Sequence, residues 1–91
     1  MKPPTHIDGA QVLELSWSDA PFGDVCFPDG TIAAVIHGLA LCQYEGSPII
    51  YRFSCNAAWE TEQDSDHASL EEAKEQLPDQ YRRVPATWIE A

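Results

Sequence analysis

Leu39-Ala40-Leu41-Cys42-Gln43-Tyr44, the turn Glu45-Gly46-Ser47-Pro48, and Ile49-Ile50-Tyr51-Arg52-Phe53-Ser54-Cys55 form the stretch whose reading decides the fold. In the second run Ile49, Tyr51, Phe53 and Cys55 alternate with Ile50, Arg52 and Ser54, the period of a strand. In the first, Leu39, Leu41 and Gln43 alternate with Ala40, Cys42 and Tyr44, so either half can face a core. The short polar link between the runs makes them an antiparallel hairpin, with Cys42 and Cys55 on neighbouring strands.

Working towards the N-terminus, Thr31 to Tyr44 is too long for one ordinary strand, and Gly38 interrupts β-branched neighbours. A bulge or bend at Gly38 therefore splits it into Thr31 to Ile36 and Leu39 to Tyr44. Pro28-Asp29-Gly30 presets φ at the proline and frees it at the glycine, which predicts a tight hairpin between Thr31 and a short strand, Asp24 to Phe27. Earlier still, Leu13, Leu15 and Trp17 share one side of a first strand, Val12 to Trp17.

Working towards the C-terminus, Asn56-Ala57-Ala58 reads as a turn into a final strand, Trp59 to Gln63, with acids on its outer side. Asp64-Ser65-Asp66-His67-Ala68 reads as a polar connection. Ser69-Leu70-Glu71-Glu72 then matches a capping box that opens a helix. Leu70, Ala73, Leu77 and Tyr81 recur at helical spacing and give one apolar stripe. Pro78 lacks an N–H and clashes with the carbonyl of Lys74, so the helix stops near Leu77, with a turn through Asp79 to Arg82 beyond it. Val84 and Trp88 read as a packed tail. The expected architecture is α+β: an antiparallel, meander-like sheet of about four to six strands with one C-terminal helix packed on it, the whole of residues 1–91 forming one domain.

Composition narrows the function. Fifteen acidic against five basic side chains give a net charge of −10, which opposes phosphate backbones and favours encounter with a basic protein. Nucleic acid is not an expected partner. No apolar run reaches the roughly 20 residues of a membrane helix, and the N-terminal residues lack an apolar secretory segment, so a cytoplasmic location is the expectation. Cys26, Cys42 and Cys55 are odd in number and lack C-x-x-C spacing, which points to buried, reduced thiols.

Eight acidic residues fall between Glu60 and Asp79, against Lys74 alone among lysines and arginines. Glu60, Glu62, Asp64, Asp66, His67, Glu71 and Glu72 contain enough oxygen ligands to suggest a hard cation, but their spacing does not match a calcium loop. A solvated acidic rim accounts for them, and Glu71 and Glu72 also complement the positive end of the helix. No nucleophile motif, phosphate loop or H-E-x-x-H pair is present, no cofactor is expected, and His37 reads as a satisfied histidine beside the Gly38 irregularity. Aromatics left exposed beside the acidic rim are interface candidates, Trp59 first and Tyr44 next. The candidate protein-binding set is thus Trp59, Tyr44, Glu60, Glu62, Asp64, Asp66, His67, Glu71, Glu72 and Glu75. Arg82 and Arg83 offset the negative end of the helix.

The run Gly38 to Glu45, with Tyr51-Arg52-Phe53-Ser54-Cys55, Trp59 and Asp64 to Ala73, resembles a group of small uncharacterised bacterial proteins. The resemblance covers most of the chain after Thr31 and implies a shared stand-alone acidic domain; Pro78 departs from the uninterrupted helix expected there. By size and charge alone, such domains are similar to immunity proteins that neutralise a toxin. The leading expectation is a non-enzymatic binding domain for a basic partner. A small metal- or thiol-dependent enzyme and a structural homo-oligomer formed through a sheet edge are the alternatives.

Overall fold

The computed structural model describes residues 2–91. The strands are β1 (His6–Ile7), β2 (Ala10–Trp17), β3 (Gly23–Cys26), β4 (Ile32–Ile36), β5 (Gly38–Gln43), β6 (Ile50–Cys55), β7 (Thr61–His67) and β8 (Ile89–Glu90). One α-helix, α1 (Leu70–Glu75), and a 3-10 turn (Asp79–Tyr81) lie between β7 and β8. The main sheet is antiparallel in the order β1-β2-β5-β6-β7, with β8 also paired to β2, while β3 and β4 form a separate hairpin. The fold is therefore mostly β with a minor helix, and the expected four to six strands become eight among the described residues.

The deciding stretch forms the centre of this sheet. β5 pairs with β6 from Gly38↔Cys55 to Cys42↔Tyr51, and its first five residues are all buried. Alternation then supplies two cores rather than one. Ala40 and Cys42 from β5, with Phe53 and Cys55 from β6, pack against Ile7, Ala10, Val12 and Leu15 inside the curl of the sheet. On the opposite face, Leu41 and Ile50 pack on Ala73 of α1, and Leu39 packs with Phe22, Ile36, Leu77 and Tyr81. A strand covered on both sides explains the nearly continuous apolar run from Leu39 to Cys42.

Gly38 marks a change of sheet. β4 ends at Ile36, where Phe22 N–H donates to the Ile36 carbonyl, and β5 begins at Gly38 against Trp17 of β2 and Cys55 of β6. Pro28-Asp29-Gly30 turns as its residues dictate: Gly30 has φ +88°, its N–H donates to the Phe27 carbonyl, and the Asp29 carboxylate accepts from the Thr31 N–H and hydroxyl. Those bonds to Thr31 hold the Asp29 carboxyl below its ordinary range.

The capping box forms: Ser69 Oγ accepts from Glu72 N–H at 3.1 Å, and the Glu72 carboxylate returns to Ala68 N–H. The helix is only six residues long, yet the apolar stripe survives its break, because Ala73, Leu77 and Tyr81 are all buried and Leu70 half-buried. Pro78 precedes the 3-10 turn, and Arg82 donates to the Leu77 and Glu75 carbonyls at 2.7 and 3.1 Å, satisfying groups the shortened helix leaves open. Arg83 instead pairs with Asp24 at 2.9 Å, tying the tail to β3.

Four sequence expectations are corrected. The strand expected over Trp59 to Gln63 runs instead over Thr61–His67, so Asp64 to His67 is not a connection: its exposed acids mask a strand. The sheet does not end there, since β8 adds Glu90 to Glu14 and Ile89 to Leu15. His67 is not a surface-loop histidine; it is buried at the end of β7. Cys26 is exposed, because the β3–β4 hairpin projects with little to cover it, whereas Cys42 and Cys55 are buried. No helix among the described residues is long and apolar enough to cross a membrane.

Candidate functional site: an acidic edge strand beside an aromatic corner

β7 forms one edge of the main sheet, pairing with β6 from Ile50↔His67 to Cys55↔Thr61. Because strands alternate, Glu62, Asp64 and Asp66 share one side and Gln63, Ser65 and His67 the other. The side chains opposite Asp64 and Asp66 are Phe53 and Tyr51, which places this acid row at the rim of the curled face. All three acids are exposed, and among the described residues no ion pair involves any of them. The three ion pairs among the described residues use Glu14, Asp79 and Asp24. Edge strands of this kind offer unpaired backbone groups to an incoming strand.

The other side of β7 is polar and becomes covered along its length, with Gln63 exposed, Ser65 half-buried and His67 buried. Gln76 Nε2–H donates to Glu72 Oε1 at 3.1 Å, which fixes the Gln76 amide with its oxygen towards His67. Nδ1 of His67 therefore donates to that oxygen at 3.1 Å, and Nε2 accepts from Ser65 Oγ at 2.7 Å. Gln63 accepts from the Tyr81 hydroxyl. These bonds clamp α1 and the 3-10 turn onto β7. Across from Ser65, Arg52 is 3% exposed; its guanidinium lies 5.7 Å from the centre of the Tyr81 ring, and its Nε has no hydrogen-bond acceptor among the described residues. Burial pulls the Arg52 pKa down while Tyr81 opposes that pull, and burial pushes the Tyr81 hydroxyl up. Sequence reasoning missed Arg52, Ser65 and Gln76; the signal was an arginine on an otherwise apolar strand.

Trp59 enters β7 through an organised turn. Asn56 Oδ1 accepts from the Ala58 and Glu60 N–H groups, and its amide donates to Glu60 Oε1 at 3.1 Å and to Glu62 Oε1 at 3.5 Å. The turn leaves Trp59 with φ +61° and its ring over Gly38, the one β5 residue without a Cβ. Trp17 stands beside it, ring centres 5.5 Å apart, and stacks on His37 at 5.7 Å; the His37 Nδ1 is 2.9 Å from the Ser18 carbonyl. The first-choice aromatic is thus half-buried in a corner, not isolated on the surface.

The sequence-predicted set divides accordingly. Glu62, Asp64 and Asp66 form the row, and Glu60 and Trp59 adjoin it through the turn. Glu71 and Glu75 are exposed on α1, whereas Glu72 and His67 are committed to the clamp. Tyr44 lies just beyond the far end of β5, edge-on to Tyr51 at 5.5 Å, with its hydroxyl donating to the Asp8 carbonyl. No group of three or more His, Cys, Asp or Glu side chains among the described residues is arranged to hold a metal. Burial pushes the Cys42 and Cys55 thiols up to about 12, which makes both poor nucleophiles near neutral pH. No family model, curated protein or solved structure matches this chain.

Proposed function

We propose that this chain is a non-enzymatic acidic binding domain that docks a basic protein partner along β7, in the manner of an immunity-like inhibitor. The observation that carries the reading is the row Glu62, Asp64 and Asp66 on an exposed edge, free of ion pairs among the described residues. Asp64 and Asp66 lie on the regular part of β7, where side chains two apart repeat every ~6.8 Å and can meet alternate lysines or arginines of an added strand, and Glu62 follows at the bulge. Two copies of β7 brought together set acid against acid, so the edge discriminates against its own kind. Glu71 and Glu75 extend the same sign of charge around the edge.

A pull-down from the native host at low and high salt, with wild type and with Glu62→Gln/Asp64→Asn/Asp66→Asn, tests this. A basic protein retained at low salt, released at high salt and absent from the triple variant is the expected result. An identical set of captured proteins for both chains, or none under either condition, overturns the reading.

Homo-oligomerisation is the second reading, and β4 favours it. Ile32-Ala33-Ala34-Val35-Ile36 carries no charge, and Ile32 and Phe27 on the same hairpin are 58% and 56% exposed. Light scattering across a concentration series separates the readings: a dimer lost on Ala34→Asp supports pairing through β4, and a monomer throughout refutes it.

A further inference from the structure

A cleft of about 360 Å³ has a wall made by Pro3, Leu15, Trp17, Trp59 and Ile89, with Asp19 the single charged member among the described residues, and Trp59, three residues before Glu62, links it to the acidic row. We propose that it receives an arginine side chain of the basic partner, a proposal that rests on the reading above and assigns it an anchoring site. Three features point to this occupant. The wall is apolar and aromatic, as an aliphatic stem requires, and its volume lies within the range of small-ligand sites. Indole is the best aromatic partner for a cation, and a planar guanidinium can stack where an ammonium only touches. The one ionisable group among the described residues at the cleft is a carboxylate, on a chain of net charge −10, so a cationic head is drawn to it and an anionic one repelled.

The surrounding structure holds this cleft ready. Asp19 Oδ1 accepts from Trp17 Nε1–H at 3.1 Å, which orients both the indole and the carboxylate. Gly38 leaves room for Trp59, and Ile89 arrives only because β8 closes onto β2. The 56–60 turn carries Trp59 directly into the acid row, so one basic segment can set an arginine in the cleft and further basic residues along β7. Recognition of this form, with an aromatic-lined pocket beside a charged rim, is where binding energy concentrates in protein interfaces.

The test uses the full chain and a defined probe. N-acetyl-arginine methylamide is titrated into ¹⁵N-labelled protein, and the three tryptophan indole signals are followed, with the uncharged N-acetyl-norleucine methylamide as control. Saturable shifts at Trp17 and Trp59 but not Trp88, stronger for arginine than for norleucine, are the expected result. Asp19→Asn keeps an oxygen for Trp17 Nε1–H and removes only the charge; it should weaken arginine binding by about three- to fivefold, the scale of one exposed charge pair. Unmoved Trp17 and Trp59 signals, equal binding of norleucine, or full affinity in Asp19→Asn each overturn the proposal. The triple β7 variant leaves Asp19 and both tryptophans in place, so failure at the cleft and failure of the docking edge are read separately.

Discussion

A methyl group added at Gly38 would lie 2.6, 2.8 and 2.9 Å from Cζ3, Cε3 and Cη2 of Trp59. Carbon atoms rest about 3.5–4.0 Å apart, so the indole must retreat by ~1 Å and surrender part of its contact with β5. Overpacking of this kind costs about 1–3 kcal/mol. Against that, alanine orders the chain more cheaply than glycine inside a strand, by about 0.5–1 kcal/mol. Gly38→Ala should therefore destabilise the wild type by a net ~0.5–2 kcal/mol. In Trp59→Ala the obstacle is gone, and the same substitution should stabilise by about 0.5–1 kcal/mol. The coupling energy of the cycle is then ~1–3 kcal/mol, a difference of about 1 M in urea midpoints. The left-handed backbone at residue 59 is common to Trp59 and its alanine variant, so its strain cancels. Urea unfolding of the four proteins, followed by far-ultraviolet circular dichroism, measures the cycle. An equal cost for Gly38→Ala in both backgrounds would refute the claim that β5 carries glycine there to seat the indole.

Arg52→Met keeps the aliphatic stem and removes a guanidinium that is 3% exposed and has an unmatched Nε; it should be neutral or stabilising by about 1–2 kcal/mol in urea unfolding, and a larger loss would show the Tyr81 contact to outweigh desolvation. With iodoacetamide at pH 8 the native chain should be alkylated once, at exposed Cys26, and three times after unfolding; rapid native modification of Cys42 or Cys55 would contradict their burial. Because the folded state holds those two thiols protonated up to about 12, against 9.0 for a free thiol, their contribution is intact below pH 9 and lost as pH rises towards 12. That loss is about 1.4 kcal/mol per pH unit for each thiol, and a Cys42→Ala/Cys55→Ala variant should lack this component of the alkaline slope. Ser69→Ala removes the oxygen that accepts from Glu72 N–H and should cost ~1 kcal/mol in thermal or urea unfolding.

The parts of the fold legible in sequence are those where one local rule acts alone. Pro28-Asp29-Gly30 specifies its turn through two backbone preferences, and Ser69 with Glu72 specifies the helix start, Ser69 Oγ accepting from Glu72 N–H and the Glu72 carboxylate from Ala68 N–H. β6 is legible because its alternation runs from apolar to apolar. β7 is only half legible because Asp64 and Asp66 look like loop chemistry, although Ser65 is half-buried and His67 buried on the alternate side. An edge strand needs only one buried side, so its polarity hides its period. β8 was invisible for another reason: Ile89 and Glu90 pair with Leu15 and Glu14, and two residues carry no periodicity. The corner around Trp59 was anticipated as an aromatic beside acids, but its neighbours Trp17 and Asp19 are brought there by topology, which no short window of sequence contains.

The strand order also dictates how the chain must assemble. β5, β6 and β7 follow one another through connections of a few residues, so their pairing closes short loops; β2 finds β5 across the β3–β4 hairpin, and β8 finds β2 from Glu90 back to Glu14. Loop closure makes the distant pairings the slower ones. The acid-bearing edge thus rests on local pairings of low closure cost, whereas the cleft wall at Ile89 depends on a pairing that spans most of the chain.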